Sequence, residues 1–209
     1  MKRALWSVWL LTPVAAAAYH FGPGQDRVTL DRAADLIAAA EADARAAEAT
    51  CCDEAAASAA WTRAIAKYDE ALLLLPPDRA NEARRCRLEA AKARTHVSQL
   101  PAANSELELL VDELSNDRTA DPALVADARS ALANSQYYMT WLMRLEGASR
   151  EEWEPKIEAA RQNYRWLAES SSEKKDAAAL AENERNLEAA IHLARMDLEE
   201  LQGLPLPSQ

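Results

Sequence analysis

Apolar positions recur along this chain at the three- and four-residue spacing of helices. Leu107, Leu110, Val111 and Leu114 fall on one helical face, and Leu180, Leu187, Ile191, Ala194 and Leu198 form another stripe. Nowhere do Val, Ile and Thr alternate with polar residues as a half-buried strand requires, so the pattern predicts an all-α protein. Thr29 is a good N-cap with Asp31 in the first turn. From there the chain runs without Gly or Pro to Leu75, too far for one ordinary helix, and must fold back. Asp53 in T-C-C-D can cap the returning helix, which Pro76 and Pro77 stop. A second hairpin is expected from Asp78 to about Gln99 and from Ala102 to about Ser115, with L-P-A-A as its turn. Asp121 before Pro122 opens a helix that ends ahead of Gly147, and Ser149 with Glu152 makes a capping box for the next. Pro155 should bend that helix or delay its start. Ser170 to Glu173 reads as a further break, and a last helix runs to about Leu201 before Gly203, about seven helices in all.

The apolar set is mostly Ala. With 4 Gly and 1 Phe in 209 residues, the helices should pack at short distance around small side chains, with Trp and Tyr as bulky fillers. The densest large-residue stretch, Tyr137 to Leu145, covers more than one face, as in a helix packed on both flanks.

In Ala64 to Pro76, read A-I-A-K-Y-D-E-A-L-L-L-L-P, small, aromatic, small and Pro recur at offsets of four, three and five. This resembles the second helix of a tetratricopeptide (TPR) repeat. In such a helix Ala64 and Ala71 admit a neighbour closely, Tyr68 fills the space between them, and Pro76 ends the helix. The resemblance covers about Arg45 to Pro76. It implies a TPR-like α-solenoid of antiparallel hairpins over residues 29–202, with a turn near Ala59 to Trp61 as a rival to the one at Asp53. It also implies a non-catalytic scaffold that grips a protein or peptide partner on a concave surface, and it looks like the exported bacterial type that accompanies envelope assemblies.

Residues 1–18 place Lys2 and Arg3 before an apolar run from Ala4 to Leu11, then Pro13 and small residues. That is the order of a secretory signal, with cleavage after Ala18 or Ala17; an uncleaved anchor in the inner membrane is the alternative. Residues 19–28 then read as a linker and 203–209 as an extended tail. The expected location is the periplasm or cell envelope. The formal net charge is −10, and Arg84, Arg85 and Arg87 are interleaved with Glu82 and Glu89, so the clustered basic face that nucleic acid needs is not expected. An acidic surface suits a basic or neutral protein partner.

No H-E-x-x-H, C-x-x-C-H, G-x-S-x-G or phosphate-cradling Gly loop occurs, and His20, His96 and His192 lie in separate segments. Glu151 with Glu152, and Glu199 with Glu200, adjoin in sequence and so diverge around a helix. Glu188 precedes His192 by four, which is not the spacing of a helical di-iron site. Cys51, Cys52 and Cys86 would need a fourth metal ligand that His96 alone does not convincingly supply, and the three cysteines read as small apolar core residues, although a bridge from one of the first two to Cys86 is also open. The expectation is no enzyme, no metal and no cofactor.

For partner binding, R-Q-N-Y-R offers Arg161, Asn163 and Arg165, whose donors suit a peptide backbone or carboxylate. Tyr137, Tyr138 and Trp141 form a second patch, either exposed hot spot or core. A rival reading makes the chain a signal-anchored structural subunit in which Tyr137 to Leu145 is a homo-oligomer interface.

Overall fold

The computed structural model describes residues 23–50 and 53–203, and among these it contains eight α-helices, one short 3-10 turn and no strand. Helix α1 is Pro23–Glu48 and α2 is Glu54–Leu74. After the 3-10 turn Pro77–Arg79 come α3 (Ala80–Thr95), α4 (Leu100–Asn116), α5 (Pro122–Leu145), α6 (Arg150–Glu173), α7 (Ala177–Arg195) and α8 (Leu198–Gln202). Each of the first six helices packs on the next, and further contacts join α3 to α5 and α5 to α8.

Side chains that can cap set most of these boundaries. The Asp53 carboxylate accepts the Ala56 N–H at 2.9 Å, which starts α2 and leaves Ala59, Ala60 and Trp61 inside it. The first turn therefore lies at Asp53 and not at the position that the TPR resemblance implied, where no Gly releases the helix. Asp121 accepts the Ala123 N–H at 2.9 Å, and Pro122 begins α5. Ser149 N–H donates to Glu152 at 2.8 Å, which secures the start of α6 at Arg150 in spite of Pro155 inside it.

Elsewhere the expected limits shift. Helix α1 begins at Pro23, so the end of the expected linker is helical; Thr29 does not cap but returns its hydroxyl to the Gln25 carbonyl at 2.9 Å. L-P-A-A is the first turn of α4, not a loop, because Pro101 sits where a helix needs no N–H. The Ser170 to Ser172 run stays helical, since no residue in it removes a donor. The break comes at Lys175, whose φ of 58° turns the chain before Asp176 caps α7. The last helix is two helices: Met196 is extended, and Asp197 accepts the Glu200 N–H at 2.7 Å to start α8. The C-terminal stripe is accordingly displaced. Ala190, Leu193, Met196 and Leu201 are buried, whereas Leu198 is 44% exposed.

Packing follows the small-residue logic at the N-terminal end. Ala40 of α1, Ala64, Tyr68 and Ala71 of α2, and Cys86 and Ala90 of α3 form one buried cluster, while Pro76 is extended beyond the end of α2. The centre is leucine-rich, with Leu88, Leu107, Leu110, Leu114, Leu124 and Leu132 together. Trp153, Ile157, Tyr164, Leu167, Leu193 and Leu201 dominate the C-terminal end. Each such large side chain contributes about 1.5–3 kcal/mol through burial.

Candidate functional site

Helices α1, α3 and α5 each turn a stripe toward a common cleft of ≈ 300 Å³, with α2 beneath. Ala44 and Glu48 come from α1, Glu89, Lys92, Ala93 and His96 from α3 and its end, and Asp127, Ala131, Asn134 and Tyr138 from α5; Trp61 and Tyr68 of α2 also line it. The spacing explains the convergence. Asp127, Ala131, Asn134 and Tyr138 follow at four, three and four residues, so they share one helical face. Alanines at 44, 93 and 131 leave the space that larger residues would fill. Toward the other end, Glu41, Arg85, Leu88, Glu89, Leu124 and Asp127 line a second recess of ≈ 350 Å³. Glu89 and Asp127 belong to both, so the two form one groove.

The groove differs along its length. At one end the Trp61 and His96 rings stack at 4.2 Å between centroids and within 5° of parallel. Burial lowers the His96 pKa against the opposing pull of Glu48, which favours the neutral imidazole. Tyr138 stands edge-on to Tyr137 at 5.8 Å, and burial raises its pKa. Midway, Lys92 donates to Glu89 and to Asp127, each at 3.0 Å. Burial alone would lower the Lys92 pKa, but these carboxylates outweigh it and raise it. Farther along, Arg85 pairs with Asp121 at 2.5 Å.

Behind the groove a polar seam runs through α4, α5 and α6. Ser135 Oγ lies 3.2 Å from Asn104 Oδ1, and Asn104 donates to Glu108 at 2.8 Å. Asn163 donates to Gln136 at 3.2 Å and accepts from Arg129 at 3.1 Å. Tyr164 donates to Asn134 at 2.6 Å, tying a groove residue to α6. Burial works against the Glu108 carboxylate, yet bonds from Lys156 and Asn104 hold its pKa below the ordinary value.

The residues singled out from sequence are dispersed across this arrangement. Asn163 is buried in the seam, Arg161 pairs with Glu158 on its own helix at 2.6 Å, and Arg165 is exposed. The structure does not bring these three onto one face. Trp141 is buried and Tyr137 packs against the C-terminal core, so Tyr138 alone of that patch reaches the groove. Ala64, Tyr68 and Ala71 are core residues, with Tyr68 also at the groove floor. Cys86 is buried with Sγ 3.5 Å from the Tyr68 carbonyl oxygen, and burial pushes its thiol up to about 12. Cys51 and Cys52 lie outside the described residues. Sequence reasoning missed Glu48, Glu89, Lys92, Asp127 and Asn134; their helical spacing was present but is also that of any solvated face.

Fold and groove together define the class: an all-helical protein in which alternate helices line an open cleft, with no group of side chains suited to a metal ion among the described residues. The chain matches no family model, no curated protein and no solved structure.

Proposed function

We propose that this protein is a non-catalytic scaffold that binds a protein or peptide partner in the groove between α1, α3 and α5. The observation that carries the reading is that α1, α3 and α5 each contribute a stripe to one cleft, with Trp61 and Tyr68 of α2 at its floor and small residues leaving room in it. We read the order as TPR-like, with α1 and α2, α3 and α4, and α5 and α6 as hairpins and α7 closing the array. The cluster of Ala64, Tyr68 and Ala71 with α1 and α3 supports this. The first hairpin is longer than the tetratricopeptide unit of about 34 residues, so the likeness is one of arrangement and not of repeat length.

The signal-like start lies outside the described residues and supports export to the periplasm or envelope, released or anchored. No described helix is long and apolar enough to cross a membrane. A photo-crosslinking amino acid at Asn134 or Glu48 is expected to trap a partner in envelope extracts, while the same group at Leu109, which is 64% exposed on α4, traps none. Equal labelling from both positions, or none from the groove, would sink the reading.

A further inference from the structure

We infer that the groove partner is a cationic peptide segment carrying a Lys or Arg a few residues away from an aromatic or aliphatic anchor. This deepens the scaffold reading and rests on it. Charge is the first argument. Four carboxylates, those of Glu41, Glu48, Glu89 and Asp127, line the groove with two cations, Arg85 and Lys92. Arg85 is already engaged by Asp121, and Lys92 is shared between Glu89 and Asp127. Glu41 in turn pairs with Arg45 at 3.6 Å, and the four carboxylates against two cations leave the lining formally net negative, in a chain whose formal charge is −10. A cationic segment gains from both, locally by ion pairing and at longer range by steering.

The second argument is polarity along the groove. The recess lined by Glu41, Glu89 and Asp127, with Arg85 at its side, is the more acidic end, and His96, Trp61 and Tyr138, with Glu48 beside them, make the other end mainly aromatic. Lys92 shows in place how an ammonium sits between the carboxylates of α3 and α5, 3.0 Å from each. A partner with its cation toward Glu41 and its ring toward Trp61 matches this gradient, whereas an acidic segment sets like charge on like charge.

The test pans a phage-displayed random dodecapeptide library on the full chain and measures selected peptides by fluorescence anisotropy. Peptides enriched in Lys or Arg together with Trp, Phe or Leu are expected. Their affinity should fall about tenfold or more in Glu41→Lys with Glu48→Lys. Both residues are exposed, so the pair leaves the core intact. Affinity should also fall in Tyr138→Ala and on raising salt from about 50 to 500 mM. Neutral or acidic peptides that bind the wild type and lose affinity in Tyr138→Ala would overturn the charge inference while leaving the scaffold reading standing. Failure to select any peptide sensitive to Tyr138→Ala or to the double charge reversal would overturn both.

Discussion

Arg144 sends its guanidinium into the gap between α7 and α8. It donates to the Leu193 carbonyl and, at 2.5 Å, to the Met196 carbonyl, and lies 4.8 Å over the Trp153 ring. These are the acceptors freed where α7 ends, so one side chain satisfies the helix terminus that the Met196 break creates. Arg144→Met fills similar space without donors and is expected to cost about 1–3 kcal/mol in urea unfolding. Hydrogen exchange should rise over residues 193–201 and stay unchanged in α1 and α2. A second residue-scale expectation concerns acid. Thr119, through its hydroxyl and backbone N–H, and then Arg84 lower the Asp117 pKa from the ordinary 3.8 to about 2. Because the folded value is the lower one, this carboxylate supports the fold above pH 3.8, and that support is lost as pH falls toward about 2. The urea midpoint of the wild type should drop across that window, and Asp117→Asn should flatten the drop; an unchanged slope would refute the assignment.

At the scale of the helix, the spacing between α1, α2 and α3 depends on Ala40, Ala64, Ala71 and Ala90 being small. Ala71 has 0% exposure, so Ala71→Leu must push a neighbouring helix outward. The expected cost is about 1–3 kcal/mol by thermal or urea unfolding, and a neutral result would mean that the interface is looser than its burial indicates. Ala64 and Ala71 were legible in sequence because A-x-x-x-Y-x-x-A places them on one face, whereas Ala40 and Ala90 carry no such signal among the many alanines of their helices. The caps at Asp53, Asp121 and Ser149 were legible too, since a side-chain oxygen ahead of an apolar run has a local job. The break at Met196 and the turn at Lys175 were not. Neither residue is a helix breaker by type, and what ends each helix is a tertiary partner, Arg144 in one case, or a left-handed backbone in the other. The start of α4 at Leu100 was hidden for the opposite reason, because Pro marks a loop and a first helical turn equally well.

For the whole molecule, the all-helical class followed from the missing strand pattern, but the groove did not follow from any one segment. Asp127, Ala131, Asn134 and Tyr138 make a mixed polar stripe that looks like ordinary solvated surface until α1 and α3 are set beside it. The R-Q-N-Y-R segment misled in the converse way: its Asn163 is committed to Gln136 and Arg129 inside the fold. The rival self-assembly reading has less to rest on, since Trp141 is buried and Tyr137, Met143 and Leu145 pack on the C-terminal core. Sedimentation from low to high micromolar concentration should accordingly give a single monomer species, and a concentration-dependent dimer would restore that reading.

The seam of Asn104, Ser135, Gln136 and Asn163 bears on the uniqueness of the fold more than on its strength. Leucine contacts tolerate small displacements, whereas a hydrogen bond has one length and one direction. Sliding α6 along α5 by one turn, about 5.4 Å, would part Asn163 from both Gln136 and Arg129 and Tyr164 from Asn134 at the same moment. The seam thus acts as a key that admits one axial setting of the helices, and the groove inherits that setting through Asn134. Replacing Asn104, Gln136 and Asn163 together with Leu is expected to keep or raise the melting temperature, while amide resonances of α5 and α6 broaden as several settings interchange.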